Sequence, residues 1–547
     1  MPLFRPLPRS VTRPVSLAVM LAWAAAMAVL VNRSYLTASP ASLATDLARY
    51  GSSATWRGVY YRGEKIGFTV SQTVPTADGF DLEESGRLQM SLLGATTAAA
   101  IRTTAHVDPT FALRAFEFSL DPGTGPIEVR GRFDGRRLRL DITTPSGTRS
   151  EERELEEPPA LSLNLSRRLA DGGLVPGARH RWTVFDPATL RNSPVTIDVG
   201  KRELVRSATT PIPAFRVDMQ FAGLKTVSWV TDTGEVVREE SPLGLITVRE
   251  TAERAQAMAV PGRMRADLLA ASSVVPDGEV AIGEPRDVRR LRLRVDGLDL
   301  SAPDIDGVAQ RVDGASLELR DPQFLGAQPP DPDASRYLAP EPLIESDAPE
   351  IVAEAAAALR DVSGSRARAE KLTRYVNALL DKKPTVSLPS AREVLRTKVG
   401  DCNEHTALFV AMARAAGLPA RIAVGLVYIH GAFYYHAWPE VYVDPSTGKR
   451  PEEGPGAAGS GQGGVWLPVD PTLNQFPADA THLRLARGGL EKQAAILPLI
   501  GRLKITILDL DLAPGSTPIL VGRQEPDYSA LTVPIPQRER RCCVCPR

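Results

Sequence analysis

The sequence predicts an α+β chain in which a large all-β region precedes a core of helices followed by strands. Three observations carry that expectation. From about residue 50 to 260, apolar and polar residues alternate with period two between closely spaced turn dipeptides, the pattern of many half-buried strands. Past a stretch dense in Pro and Asp near residue 335, the apolar spacing changes to the three-and-four pattern of helices. A length of 547 residues exceeds what one core serves, so two or three domains are expected.

Arg5, Arg9 and Arg13 lie in a basic tail, 1–14, ahead of the uncharged run Val15–Val31 within segment 15–33. At 1.5 Å per residue that run spans about 25 Å, close to the lower limit for crossing a bilayer. It reads as a transmembrane anchor, or as a signal segment cleaved at a small-residue site such as the one ending at Ala41. The basic flank comes first, so either reading puts the rest of the chain outside the cytoplasm, membrane-anchored or secreted.

Residues 46–260 form the all-β domain. "KIGFTVSQTV" sets Ile66, Phe68 and Val70 on one face, and "GRLQMSL" does the same with Leu88, Met90 and Leu92. Asp134-Gly135 and Thr233-Gly234 mark turns. His106 and His180 are scattered there with no catalytic grouping. Residues 261–335 read as a β extension and linker: "RRLRLRVDGLDL" alternates Leu291, Leu293 and Val295 with arginines, and "GAQPPDPDASRYLAPEP" is a linker by composition.

Segment 336–500 carries the helices. "EIVAEAAAALRDV" is one; "SRARAEKLTRYVNALLDKK" is a second, with Leu372, Tyr375, Val376, Leu379 and Leu380 on one face; "SAREVL" is a short third. A fourth begins at Cys402, with Leu408, Ala411, Met412 and Ala415 as its apolar stripe and Gly417 as its stop. Residues 501–547 are expected to hold a strand and a flexible tail. The tail ends in "RRCCVCPR", where Cys542, Cys543 and Cys545 could take a soft metal or a lipid but read better as a functionally blank end.

Cys402 is thus the one cysteine in the body of the chain, at a helix start behind Gly400. Unpaired N–H groups and the positive end of the dipole favour a thiolate there and offer an oxyanion donor, the Cys402 N–H being the first candidate. Alone, such a cysteine is more readily structural than catalytic. Two later blocks change its meaning. "GAFYYHAWPEVYV" reads as a strand with His436, Trp438 and Glu440 on one face and Tyr435, Ala437, Val441 and Val443 facing a core. "GVWLPVDPT" ends a further strand at Asp470. A thiol, a histidine base and an orienting carboxylate are what nucleophilic acyl transfer requires, and Cys402, His436 and Asp470 follow one another at intervals of 34 residues. Asp444 is a rival carboxylate. Glu404 and His405 either meet substrate or support the helix face; Trp438 is placed to shield the imidazole and Glu440 to bridge strands. The glycine-rich stretch 444–464 reads as a flexible loop, a lid or a surface insertion.

"GDCNEHTALFVAMARAAGLPAR", "FYYHAWPEVYV" and "WLPVDPT" resemble the three signature blocks of the bacterial transglutaminase-like superfamily. The resemblance covers about residues 350–490. It implies a papain-like core, helices then antiparallel sheet, with Cys402 as nucleophile, His436 as base and acid, and Asp470 as orienting carboxylate. It implies a cysteine-dependent acyltransferase or peptidase that cleaves or transfers protein or peptide amide bonds through a thioester. The residues call for no cofactor or metal, although some members of the superfamily use calcium.

The expected partners are a protein or peptide substrate, the membrane through the N-terminal segment, and a cell-envelope partner on the β domain. Basic and acidic residues total 65 each, so the net charge is zero and the case for nucleic-acid binding falls away. The other class of function is a membrane-tethered binding or assembly module that uses the core as a scaffold.

Overall fold

A computed structural model describes residues 54–520, apart from 93–94, 124, 156–158, 189, 208–209, 222–223, 242–243, 259–272, 327, 385–388, 445–463, 489–495, 497–498 and 500. The anchor or signal run, most of the 444–464 loop and the cysteine-rich tail lie outside the described residues. Among the described residues, no helix is long and apolar enough to cross a membrane.

The all-β region is one antiparallel sheet of fourteen strands. Eight run as a meander from Thr55–Tyr61 to Gly147–Glu154; the helix Ser162–Asp171 follows; six more run from Arg179–Asp186 to Leu245–Glu250. The last strand returns to the first, pairing Trp56 with Glu250 and Tyr61 with Leu245. Period-two alternation fixes the inner face. Arg137–Thr144 buries Leu138, Leu140 and Ile142 and exposes Arg137 and Arg139. The two meanders share one core: Phe116 of the first meets Phe185 of the second with ring centroids 5.3 Å apart, and Leu161, Leu165 and Leu169 of the helix segment pack into it. On the expected face of Glu64–Pro75, Ile66 is buried while Phe68 and Val70 are only partly so.

The second core is built around the helix Cys402–Ala415. The helices Pro349–Ala358, Ser365–Leu379 and Ala391–Thr397 pack on it, as does a four-stranded antiparallel sheet in the order Val465–Pro468, Ala432–Val443, Ala420–Ile429, Leu483–Gly488. The Cys402 helix is buried on all sides, Ala407, Phe409, Val410 and Ala413 included, so the single apolar stripe was too narrow a reading. Gly417, at φ +77°, closes its end as expected.

A second small sheet joins distant parts of the chain. Val288–Asp296 pairs with Ser316–Arg320 on one side and with Lys504–Leu512 on the other, aligning Leu293 with Ile507 and Val295 with Ile505. These side chains belong to the same core as the Cys402 helix. The Pro- and Asp-rich stretch is not a free tether: Trp466 Nε1 donates to Asp331 at 2.8 Å, and Tyr337 meets the Trp466 ring edge-on at 5.4 Å. The all-β region touches the helical core where Ser146 donates to Glu393 at 2.9 Å and Arg149 pairs with Asp347 at 3.2 Å.

Candidate active site

Local chemistry fixes where Cys402 sits. Asp401 is the N-cap: its carboxylate accepts from Asn403 N at 2.9 Å, while Glu404 reaches back to accept from Asp401 N at 2.8 Å. Gly400 must lack a side chain, because a Cβ there would lie 2.2 Å from Glu404 Cβ. His405 Nδ1 donates to the Asp401 carbonyl at 2.7 Å. Glu404 and His405 therefore brace the helix start, the supporting role considered for them. Thr406 donates to the Ala437 carbonyl at 3.1 Å, tying the first turn to the strand residue beside His436. A backbone hydrogen bond from Ala437 reaches the Cys402 sulfur.

His436 and Asp470 meet directly, Nε2 to Oδ2 at 2.7 Å. Asp470 is fully buried just after Val465–Pro468, and its backbone exchanges hydrogen bonds of 2.9 and 2.7 Å with Gln475. Its Oδ1 accepts from Leu473 N at 2.9 Å. The rival Asp444 is taken up elsewhere, accepting from Ser365 at 2.6 Å. Trp438 stacks on His436 with centroids 6.1 Å apart, screening the imidazole as expected; its own Nε1 is buried with no hydrogen-bond partner among the described residues. Glu440 bridges strands as expected, accepting from Arg421 at 2.8 Å and Arg484 at 2.6 Å. Those two guanidiniums outweigh the effect of burial and hold its carboxyl down at about 2.

Residues 352–471, which contain Cys402, His436 and Asp470, match the family model described as transglutaminase-like superfamily. This segment is a transglutaminase-like domain.

No curated protein matches the chain. Among solved structures, the chain is similar to a β-barrel-like protein of a domain of unknown function from Brucella abortus, at 12% identity over 36% of this chain and 96% of that one, TM-score 0.29. It is also similar to a candidate cysteine protease from Cytophaga hutchinsonii, at 16% identity over 42% of this chain and 89% of that one, TM-score 0.27. A third is the periplasmic domain of TgpA from Pseudomonas aeruginosa bound to ethylmercury, at 20% identity over 36% and 76% of the two chains, TM-score 0.22.

Electrostatics in the transglutaminase-like domain correct one expectation. Cys402 keeps a partly exposed edge, yet burial around its sulfur pushes the thiol well above its usual value, and Asp401, Glu404 and Asp470 push the same way. Burial first, and then the carboxylates that cap the helix and serve the imidazole, thus outweigh the dipole argument for a resting thiolate. Burial holds His405 below the usual histidine value, so it is neutral.

The domain's polar centre also extends past what the sequence reading found. His482 Nε2 reaches Asp470 Oδ2 at 3.1 Å, and its Nδ1 reaches Asp479 Oδ1 at 3.2 Å. Burial opposes its charge, but Asp479 and Asp470 push His482 up to about 9. Asp479 is in turn held at about 2, with His482 and Thr481 overcoming its burial. Asp470, between two imidazoles, is held far below the usual carboxylate range despite its burial. The donor atoms of His436, Asp470 and His482 lie within 4.8 Å of one another, close enough to share an ion. Hydrogen bonds among the three already use those atoms, and we treat them as proton partners. A signal for His482 was present: the chain holds 6 histidines, and "DATHLRL" follows Asp470 closely.

Proposed function

We propose that the chain is a cysteine-dependent acyl-transfer enzyme acting on protein or peptide amide bonds outside the cytoplasm. The observation that carries the reading is the buried His436–Asp470 pair at 2.7 Å, on the strand whose next residue, Ala437, hydrogen-bonds the Cys402 sulfur. With Nε2–H given to Asp470, His436 Nδ1 is left as the base. Cys402 rests as a thiol. His436 takes its proton as sulfur attacks the amide carbonyl, and the Cys402 N–H at the helix start meets the developing oxyanion. The imidazolium then hands that proton to the leaving amine, giving a thioester. Water or an amine resolves it, by hydrolysis or transamidation. None of these steps calls on a metal.

The extracytoplasmic address rests on Arg5, Arg9 and Arg13 ahead of the uncharged Val15–Val31 run, which serves as anchor or export signal. It favours a cell-envelope protein or peptide as substrate, with the all-β region as the surface that holds a partner.

The test is product analysis by mass spectrometry of a peptide library incubated with the full-length chain, with and without an added primary amine. Cleaved or amine-linked products are expected, and they should vanish with Cys402→Ala. Products that persist unchanged in that variant would overturn the reading.

A further inference from the structure

Asp470 serves two imidazoles. Its Oδ2 accepts from His436 at 2.7 Å and from His482 at 3.1 Å, and both rings are held in place. Trp438 packs against both, stacked on His436 and edge-to-face with His482 at 5.1 Å and 81°. Behind His482 stands Asp479. Its Oδ1 accepts from Thr481 N at 3.0 Å and Thr481 Oγ1 at 2.6 Å, and its Oδ2 accepts from Gln475 Nε2 at 2.8 Å. The four-member line His436–Asp470–His482–Asp479 is buried throughout. Its outer half lies beyond the matched segment 352–471.

We propose that His482, braced by Asp479, is a positioning residue of the site that fixes the Asp470 carboxylate and divides its charge between two imidazoles. This rests on the acyl-transfer reading above. Both ring nitrogens of His482 face carboxylates, so the ring donates from both and carries a positive charge. The charge sum then gives the role. Two carboxylates and one cation leave a single net negative charge for His436 to answer when it becomes imidazolium. Without His482 the buried group would carry two, and His436 would bind its proton too tightly to return it to the leaving amine. The other titratable groups acting on this cluster are Cys402, His405 and Lys382, each coupled to Asp470, with Asp401 and Glu404 acting on Cys402 and Glu404 on His405.

The test is a pH titration of ¹⁵N-imidazole signals in the full-length chain, with His436→Ala and His482→Gln assigning the two peaks. In the unmodified chain, His482 should stay cationic past pH 8. In His482→Gln, the His436 midpoint should rise by about one unit, and the acid limb of any pH–activity profile should move with it. Asp479→Asn keeps both imidazoles and serves where His482→Gln does not fold. There the His482 midpoint should fall by about a unit or more. A His482 that titrates like an ordinary histidine, or a His436 midpoint that ignores both substitutions, overturns the proposal. The titration needs no catalysis, so the two readings fail separately. Activity that survives Cys402→Ala removes the acyl-transfer reading and leaves the shared carboxylate standing. A Cys402-dependent activity with an unmoved His436 removes this inference alone.

Discussion

A methyl group at position 400 would meet Glu404 Cβ at 2.2 Å, and the atom it strikes belongs to the side chain that closes the helix start around Cys402. Gly400→Ala must therefore displace Glu404 and, with it, the turn that aims the sulfur. It should destabilise the chain by about 1–3 kcal/mol in thermal or urea unfolding. It should also slow Cys402-dependent turnover more than a distant glycine substitution of equal stability cost. At the same scale, the raised thiol predicts how Cys402 meets iodoacetamide. Followed site by site by mass spectrometry at pH 6, its labelling should be no faster than that of Cys542, Cys543 or Cys545. Faster labelling would mean that the thiolate already exists at rest.

The Cys402 helix shows at the scale of elements what a sequence reveals and what it hides. Its start was legible from Gly400 and the apolar spacing that follows Cys402, whereas the Asp401–Glu404 capping box, an equally local signal, was passed over. Its surroundings were not legible. A stripe through Leu408, Ala411 and Met412 implies one packed face, whereas Phe409 and Val410 are equally buried beneath helices and sheet. The strands of His436 and Asp470 were legible from β-branched and aromatic runs, and their pairing followed from chemistry rather than from period. His482 escaped because the turn-rich segment from Pro471 to Thr481 folds back on Asp470, and no periodicity reports a contact made by a loop's return. Capping gives this element its own prediction. Asp401→Ala removes the bond to Asn403 N and should cost about 1 kcal/mol in unfolding measurements.

Across the whole molecule, the buried charges set a pH window for stability. His482, raised from 6.5 to about 9, contributes fully below pH 6.5 and loses its contribution as pH climbs through about 9. The span amounts to about 3 kcal/mol. The raised Cys402 thiol works in the same direction. Glu440 and Asp479, both held at about 2, contribute above their ordinary values of 4.5 and 3.8 and fade as pH falls through 2. His482 and Cys402 should therefore lower the melting temperature as pH climbs above about 6.5, with that alkaline decline reduced in His482→Gln. The strand Lys504–Leu512 gives a second test of the whole. A chain ending at Leu503 loses the buried Ile505 and Ile507 and should be less stable by about 3 kcal/mol or more than one ending at Leu520. That strand also sets a timetable. Arg290 and Asp509 are 219 positions apart yet paired, so a ribosome delivers Cys402, His436 and Asp470 well before the partner that Leu291 and Leu293 await. The core beneath the nucleophile reaches its final packing only once residue 512 has been made, and a chain released early lacks the Ile505 and Ile507 side chains that close it.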